Sequence, residues 1–243
     1  MMFQCTLNND KTKISVRENN EILGEYQLIR EPFCEKCSLP LDPEVPECRN
    51  CWDIENFDVA RAVGLYFKMD YEGTLSYIDK PENDLLSTHI RYLKNSRGYS
   101  ANIKWACPLG LAMVLCINNL FTEFKSANLI IPVPQHPNSI DRRGYNQSEE
   151  IAKIVSEKTG IQLRTDVLTK IKDINMQNKT RVERRKLVIG AYGADTELNG
   201  EIVLLIDDTL TTGSNLDECA KILKSNGAKD VYILVAGRDA PEY

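Results

Sequence analysis

The chain has 243 residues, of which 42% are hydrophobic and 27% are charged, and its formal net charge is −5. This composition is typical of a globular protein with one main domain and a small additional element. No stretch reaches eighteen consecutive apolar residues, so we predict no membrane span, and the negative charge argues against nucleic-acid binding by overall electrostatics. The first residues, MMFQCTLNNDKTK, lack the apolar core of a signal peptide. We therefore expect a cytoplasmic protein with reduced thiols.

Residues 1–31 contain short alternations of apolar and polar residues, such as KISVR. Asn19 and Asn20 lie between two of these stretches and favour a hairpin turn. We predict a short β element here, to which the sequence assigns no role.

Residues 32–55 contain two C-x2-C pairs, formed by Cys34 and Cys37 and by Cys48 and Cys51. Four thiolates in this arrangement are the ligands of a tetrahedral structural zinc ion. Because all four positions are filled by cysteine, we expect a structural rather than a catalytic site. Two disulfides, which a cytoplasmic location disfavours, and an iron–sulfur cluster are the alternatives. The other four cysteines lack this spacing, and we expect them to be buried as small hydrophobic residues.

Residues 56–127 have a different character. An apolar run over 59–66 predicts a strand, and residues 103–124 predict a mostly buried helix. Between them, apolar residues fall at helical spacing at Leu85, Leu86, Ile90 and Leu93. We interpret Lys94 and Arg97, which follow this pattern, as solvated charges rather than as phosphate ligands.

Residues 128–133, NLIIPV, predict a buried strand. The adjacent Arg142 and Arg143 then precede a glycine turn. Guanidinium groups form paired hydrogen bonds with phosphate oxygens, so this turn suits an anionic ligand; a solvated basic turn is the alternative. Asn146 with Glu149 three residues later predicts the N-terminal cap of another helix.

Residues 163–168 predict a short strand, and it overlaps a strongly basic segment. Residues 164–186 carry eight Lys or Arg and only three Asp or Glu. Because this segment has few apolar residues and weak periodicity, we predict a mobile loop. Long charged loops often close over polyanionic ligands, and a solvated run of charges is the alternative.

The most informative stretch is residues 203–215, VLLIDDTLTTGSN. Its apolar run ends at Asp207 and Asp208, and a turn of small or polar residues (the 211–215 turn) leads directly into a helical pattern. Backbone N–H groups at such a turn and the helix dipole can hold a phosphate group, while the carboxylates can accept hydrogen bonds from ribose hydroxyls. We predict a sugar-phosphate site; an ordinary strand–turn–helix unit with an acidic surface turn is the alternative. Residues 230–236 predict a last buried strand.

This stretch resembles the phosphoribosyl-pyrophosphate (PRPP) motif of type I phosphoribosyltransferases, D-D-x-x-x-T-G-x-[TN]. Over residues 34–239 the chain is similar to the ComF family, the competence-protein-F-like phosphoribosyltransferases. The resemblance rests on the four cysteines, the Leu93–Lys94 helix end, PVP followed by RRGYNQSE, Gln177 with Arg184, and IDDTLTTGSN.

The resemblance implies an α/β fold in which a mainly parallel sheet is flanked by helices, after a small N-terminal β and cysteine element. Residues 56–243 would form the phosphoribosyltransferase domain, with a hood from residues 56–127 and a PRPP-binding core from residues 128–243. The site would lie at the carboxyl ends of the strands.

The resemblance also implies residue roles. Asp207 and Asp208 would be the catalytic pair that binds the ribose hydroxyls. PRPP contacts would come from Thr209, Thr211, Thr212, Gly213, Ser214, Asn215, Arg142 and Arg143. The flexible loop would contribute Lys170, Gln177, Arg181 and Arg184. Two features depart from the family pattern: Thr209 stands where valine is usual, and no arginine lies near Lys170.

The function implied is an enzyme that binds PRPP with Mg²⁺ and transfers the phosphoribosyl group with release of pyrophosphate. No side chain is an evident general base, and the acceptor is unassigned. The alternative is a non-catalytic PRPP- or nucleic-acid-binding module in DNA uptake or processing, whose partner would be single-stranded DNA or a DNA-processing protein. A purely structural zinc protein ranks last, because it leaves the acidic pair and the 211–215 turn unexplained.

Overall fold

The computed structural model describes residues 2–29, 31, 33–41, 48, 51, 54–67, 84–94, 102–176 and 179–240. The first strands are β1 (Phe3–Leu7), β2 (Lys13–Glu18) and β3 (Glu21–Gln27), which form an antiparallel sheet in that order. Asn19 and Asn20 have φ angles of 50° and 71° and connect β2 to β3. Asparagine tolerates this left-handed conformation, and the predicted hairpin turn is confirmed.

The middle of the chain contains one strand and two helices. They are β4 (Val59–Tyr66), α1 (Leu85–Lys94) and α2 (Ala106–Asn119). Short 3₁₀ turns at Ile103–Trp105 and Thr122–Ser126 flank α2, so the helix predicted over 103–124 is interrupted at both ends. Of the predicted hood, residues 68–83 and 95–101, which include Arg97, lie outside the described residues.

The remaining elements alternate between strands and helices. In chain order they are β5 (Leu129–Pro132), α3 (Pro137–Arg143), α4 (Gln147–Thr159), β6 (Gln162–Leu163), β7 (Leu168–Lys170), α5 (Arg181–Val188), β8 (Tyr192–Ala194), β9 (Ile202–Leu210), α6 (Ser214–Ser225) and β10 (Asp230–Asp239). The single strand predicted over 163–168 is wrong, since its two ends belong to β6 and β7, which lie in different sheets.

A five-stranded sheet in the order β4-β10-β9-β5-β6 is the core of the fold, and all its strand pairs are parallel. β7 and β8 form a separate antiparallel pair. Helices lie on both faces of the large sheet. The predicted α/β fold, with a mainly parallel sheet flanked by helices and a small N-terminal β and cysteine element, is confirmed.

Alternate residues of the parallel strands face two separate cores, as the two-residue period of a strand requires. Leu204 and Ile206 face the first core, which also contains residues from α1, α2, α4 and the N-terminal sheet. Val203 and Leu205 face the second core, which contains residues from α6, β7, β8 and the cysteine region. We call these sides the helical face and the cysteine face.

The first cysteine pair lies against the outer edge of β4. The backbone N–H of Ala60 donates to the carbonyl of Lys36 at 2.9 Å, and Ser38 Oγ donates to the Ala60 carbonyl at 2.9 Å. Arg61 is buried and donates to the Glu35 carbonyl at 2.6 Å. These bonds fix the cysteine region to the sheet.

Among the described helices, none combines the length and hydrophobicity needed to cross a membrane.

Candidate functional site

The predicted strand, turn and helix of residues 203–215 are all present. Asp207 and Asp208 lie near the carboxyl end of β9, and α6 begins at Ser214. Gly213 is the N-cap of α6 and has a left-handed φ of 79°. A side chain at this position would be strained, which explains the glycine. The backbone N–H groups at the start of α6 therefore follow a tight turn that opens beside the two carboxylates.

The acidic pair is held by side chains from the RGYNQSE sequence at the start of α4. Ser148 Oγ donates to Asp207 Oδ1 at 2.6 Å, and Gln147 Nε2 donates to Asp208 Oδ2 at 3.0 Å. Asn146 caps α4 as predicted, accepting from the N–H of Ser148 at 3.1 Å. Glu149, expected as its partner in the cap, instead pairs with Lys153.

Lys94 is an ion-pair partner of Asp208, and its interpretation as a solvated charge is wrong. Its Nζ lies 2.9 Å from Asp208 Oδ1 and donates to Thr209 Oγ1 at 2.6 Å. Tyr145, also from the RGYNQSE sequence, donates to the Leu93 carbonyl at 2.8 Å and so fixes the end of α1 that carries Lys94. The hydroxyl of Thr209 gives a local reason for its departure from valine, because it accepts from Lys94 and donates to Asp208.

The electrostatics of the two aspartates differ. Burial, together with the neighbouring Asp208 charge, raises the pKa of Asp207 from 3.8 to about 7. Burial by itself lowers the pKa of Lys94, but the charges of Asp208, Tyr66 and Asp207 and the hydrogen bond to Asp208 together more than offset this effect, so the pKa of Lys94 is raised. Burial lowers the pKa of Lys170, partly opposed by the charge of Asp207. One carboxylate is thus paired with a lysine, whereas the other takes up a proton near neutral pH.

These groups line one cavity of about 370 Å³ at the carboxyl edge of the sheet. One wall is acidic, with Asp207 and Asp208, and another is the 211–215 turn. The cations that line it are Lys94, Arg143, Lys170 and Arg184. Asn215 Oδ1 is buried in this wall without a hydrogen-bond partner among the described residues. Carboxylates, amides and cations surrounding one space are suited to a polyhydroxylated anion.

The structure brings most of the predicted site residues together. Thr209, Thr211, Thr212, Gly213, Ser214 and Asn215 all line the cavity, as does Arg143. Its neighbour Arg142 is exposed outside the cavity lining, and its guanidinium donates to Ser139 Oγ at 3.2 Å. Gln177, predicted for the flexible loop, lies outside the described residues.

The basic segment is not a continuous loop, which corrects the prediction. Lys170 belongs to β7, and Arg181 and Arg184 lie on α5. A capping box formed by Thr180 and Glu183 starts this helix. Arg184 lines the cavity, whereas Arg181 is not among the lining residues. The high charge of the segment favoured the prediction of a loop, whereas the T-x-x-E spacing of Thr180 and Glu183 is the sequence signal for the start of this short helix.

The cysteine cluster (Cys34, Cys37, Cys48 and Cys51) brings its four Sγ atoms within 4.8 Å of one another. The Sγ separation is 3.5 Å between Cys34 and Cys51, and 3.6 Å both between Cys37 and Cys48 and between Cys48 and Cys51. All four cysteines are free, and a disulfide would need a separation of about 2.05 Å. The disulfide alternative is therefore wrong, and the cluster can hold a metal ion.

Sequence reasoning missed Lys94, Gln147 and Ser148 as site residues. Gln147 and Ser148 belong to RGYNQSE, the most distinctive part of the resemblance, so that motif already pointed to them. The resemblance includes Lys94 in the Leu93–Lys94 helix end but gives it no role, and its helix lies far from β9 in the sequence. Only the fold brings Lys94 to the acidic pair.

The fold and the cavity together define an α/β protein whose polar site, at the carboxyl edge of a parallel sheet, contains both acidic and basic side chains. Among known proteins, the chain is 29% identical to competence protein F of Haemophilus influenzae, over 95% of each chain. It is 31% identical to DNA utilization protein YhgH of Escherichia coli O157:H7, over 61% of this chain and 65% of that protein. The resemblance to the ComF family is confirmed. No family model matches the chain.

A purine phosphoribosyltransferase from Pyrococcus horikoshii aligns at 17% identity and a TM-score of 0.33, covering 50% of this chain and 67% of that one. The fold class is defined by the central sheet itself, whose five strands pair in the order β4-β10-β9-β5-β6.

Proposed function

We propose that the chain binds PRPP with Mg²⁺ in the 370 Å³ cavity and transfers its 5-phosphoribosyl group to an acceptor, releasing pyrophosphate. The observation that carries this proposal is that an acidic pair, a glycine turn at a helix start and four cations line one cavity. PRPP has the matching parts: two ribose hydroxyls, a 5′-phosphate and a pyrophosphate. We place this activity in the cytoplasm, where the free cysteines of the chain would stay reduced.

Each wall has a distinct task in this proposal. Asp207 and Asp208 accept hydrogen bonds from the ribose hydroxyls, and their negative charge favours a transition state in which C1 becomes positive. The 211–215 turn and the start of α6 hold the 5′-phosphate. The Asn215 amide, whose Oδ1 lacks a partner among the described residues, can accept from a ribose hydroxyl or a bound water.

The cations face the leaving group. Lys94, Lys170, Arg143 and Arg184 line the same cavity as the acidic pair, where they can neutralise charge that develops on pyrophosphate as its bond to C1 breaks. Magnesium, when bound with PRPP, would add to this neutralisation and would sit on substrate oxygens and water. The carboxylates of Asp207 and Asp208 fit that cation chemically.

The cysteine cluster fits zinc. Four cysteine Sγ atoms within 4.8 Å of one another leave no ligand position open to a substrate. We assign zinc a structural role, in which it would join the two C-x2-C pairs into one unit. Zinc analysis of the purified protein tests this assignment, and a stoichiometry far below one ion per chain would contradict it.

A second candidate is a binding module that acts in DNA uptake or processing without turning PRPP over. The two relatives are named for competence and for DNA utilization, which favours this candidate. The exposed Lys172, Lys179 and Lys186 of the basic segment also favour it, since single-stranded DNA binds along basic surfaces. A DNA-processing protein is the other partner that this candidate function includes. Affinity for single-stranded DNA that hardly changes with salt would count against DNA binding through these lysines.

Calorimetric titration of PRPP and Mg²⁺ into the zinc-loaded chain tests the first proposal. We expect binding to the wild type and its loss in the Asp207→Asn, Asp208→Asn double variant. Arg142→Gln is the matched control, because Arg142 lies outside the cavity lining while its neighbour Arg143 lines the cavity. Binding that Arg142→Gln retains and the double variant loses would locate the ligand in the cavity.

The release of pyrophosphate in the presence of candidate nucleobases and amines then separates the two functions. Turnover with any acceptor supports the transferase. PRPP binding without turnover for any acceptor in the screen favours the binding module. Absence of PRPP binding to the folded wild type would contradict both the transferase and a module that binds PRPP.

A further inference from the structure

One buried arginine connects the cysteine cluster to the 211–215 turn. Arg238 lies on β10 opposite Leu210 and is 4% exposed. Its Nη1 donates to the carbonyls of Leu210 and Thr211, both at 2.8 Å. Its Nε donates to the carbonyl of Cys37 at 3.2 Å. A single rigid guanidinium thus holds the entry of the turn and the backbone of a cysteine ligand at the same time.

Ile54, three positions after the last cysteine of the cluster, packs on the turn itself. Ile54 is buried, and its Cδ1 lies 2.9 Å from the position that a Cβ on Gly213 would occupy. The backbone N–H of Ile54 in turn donates to the carbonyl of Cys51 at 3.1 Å. A displacement of Cys51 would therefore move a side chain that forms one wall of the glycine turn.

A third link runs through the first turn of α6. Asp217 is 3% exposed, and its carboxylate accepts from the N–H groups of Glu55 and Asn56 at 3.0 and 2.7 Å. It also pairs with Arg185 of α5 at 3.1 Å. The helix that begins at the turn is thus bonded to the segment that leaves the cysteine cluster.

Other bonds of the cysteine region point elsewhere, which makes these three links specific. Arg61, the other buried arginine in contact with this region, donates to Glu35 and pairs with Glu123 at 2.9 Å. None of its contacts in the described part of the chain involves residues 210–217. Arg61 therefore offers a control that loosens the same cysteine region from a different side.

We propose that the metal-loaded cysteine cluster is a positioning element for the 211–215 turn, and that Arg238 is the positioning residue that couples them. This inference rests on the proposed function, since it assigns to the turn the 5′-phosphate of PRPP. The cluster is then part of the wall of the ligand site, and its metal and the ligand in the cavity stabilise each other.

Thermodynamic linkage makes the proposal measurable in two directions. If the loaded cluster tightens PRPP binding by some factor, bound PRPP must tighten metal binding by the same factor. Coupling between two sites in one protein is typically about 5- to 150-fold. We expect an effect in this range on the PRPP dissociation constant and on the zinc dissociation constant.

The experiment compares wild type, Arg238→Met and Arg61→Met, each as the full zinc-loaded chain with Mg²⁺ present. Zinc affinity is measured by competition with a chromogenic chelator, with and without saturating PRPP, and PRPP affinity is measured by calorimetry. We expect PRPP to tighten zinc binding in wild type and in Arg61→Met but not in Arg238→Met. Arg238→Met should keep its zinc while binding PRPP about 5- to 150-fold more weakly.

Equal coupling in wild type and Arg238→Met would overturn the role of Arg238, and absence of coupling in wild type that binds PRPP would overturn the whole inference. If Arg238→Met fails to fold, Asp217→Asn replaces it, because it weakens a separate link between the same two regions. If wild type binds no PRPP, the proposed function fails instead. Amide exchange of residues 210–217 with and without zinc then decides the coupling: faster exchange without zinc supports it, and unchanged exchange contradicts it.

Discussion

The two faces of the central sheet are built in different ways. On the helical face, α1, α2, α4 and the N-terminal sheet bury large apolar side chains, among them Leu109, Met113 and Ile151, each fully buried. On the cysteine face, the buried Arg238 and Asp217 make directional bonds that join short segments. Hydrophobic burial tolerates small shifts, whereas a hydrogen bond fixes distance and angle. Both faces bury an apolar core that stabilises the fold. They differ in the part of the site that they hold. Side chains of the helical face hold the acidic pair, whereas Arg238 and Asp217 of the cysteine face hold the 211–215 turn and the helix that follows it.

The largest expected effect comes from truncating the helical face. Leu109→Ala should lower the free energy of unfolding by about 2–5 kcal/mol, because it removes buried methyl groups and leaves a cavity. Urea denaturation measures the loss, and the folded variant should keep its zinc content and PRPP affinity. Leu111→Ala, at a half-buried position on the same helix, is the control and should cost clearly less. A Leu109→Ala variant that folds stably but loses zinc would contradict the expectation that a change on the helical face leaves the cysteine cluster intact.

Lys94 is carried by α1 of the helical face yet pairs with Asp208 in the site. Lys94→Met should destabilise the chain by about 1–3 kcal/mol, because it leaves a buried carboxylate without its charged partner. PRPP binding should weaken as well. The Asp208→Asn background sharpens the test: once Asp208 is neutral, the stability cost of Lys94→Met should become much smaller, as a double-mutant cycle of unfolding energies would show. Additive costs would contradict a direct pair.

The pH dependence of PRPP binding tests the raised pKa of Asp207, which is about 7 against an ordinary 3.8. Its ionised form accepts the ribose hydroxyls, so the affinity for PRPP should rise through pH 7 and fall by up to about tenfold per pH unit below it. Asp207→Asn is the control: ionisation of PRPP itself affects both proteins equally, but the variant should lack the part of the pH dependence that comes from Asp207. The folded chain also holds this proton to higher pH than the unfolded chain, so Asp207 destabilises the fold progressively as pH rises from about 4 to 7. A flat difference between wild type and variant, in calorimetry across pH 6 to 8, would contradict the shift.

Two glycines, one on each face, give the smallest and most selective pair of changes. Gly110 of α2 packs on α4, where a Cβ would lie 2.7 Å from Ile154 Cβ, and Gly213 holds the left-handed turn. Gly110→Ala should cost about 1 kcal/mol of stability and leave PRPP affinity unchanged, since crowding exceeds the gain in helix propensity. Gly213→Ala should cost a similar amount, about 1–2 kcal/mol, but should also weaken PRPP binding. Thermal unfolding measures the stability of both variants, and calorimetry measures their affinity for PRPP. Equal effects of the two variants on affinity would contradict a specific role of Gly213 in PRPP binding.

The sequence predicted the cysteine cluster and the 203–215 stretch because each is specified by neighbouring residues. The acidic pair, the left-handed Gly213 and the start of α6 follow one another directly. Contacts between distant residues could not be predicted in this way. Lys94 meets Asp208 from another helix, and Arg238 reaches Cys37 across 201 positions of the chain. Nothing in the local sequence of either residue specifies its partner.

The basic segment shows the opposite error, in which composition masked a local pattern. Its charge density favoured a loop, although Thr180 and Glu183 have the spacing of a capping box and start α5. That helix has few apolar residues and buries only Val188 among its described residues, so its hydrophobic pattern is sparse. Short polar helices fixed by caps are therefore the elements that a hydrophobic pattern misses most readily.

The edges of the central sheet give the cysteine region one further consequence. At one edge, β6 is only two residues long, whereas at the other β4 extends over eight. A long, apolar edge strand is a template for pairing with another chain. Here Lys36 and Ser38 already bond to Ala60 at that edge. Ile29 of the N-terminal segment also donates to the carbonyl of Val63 in this strand. Loss of the cysteine region would therefore uncover the start of the edge strand and open it to pairing with another chain.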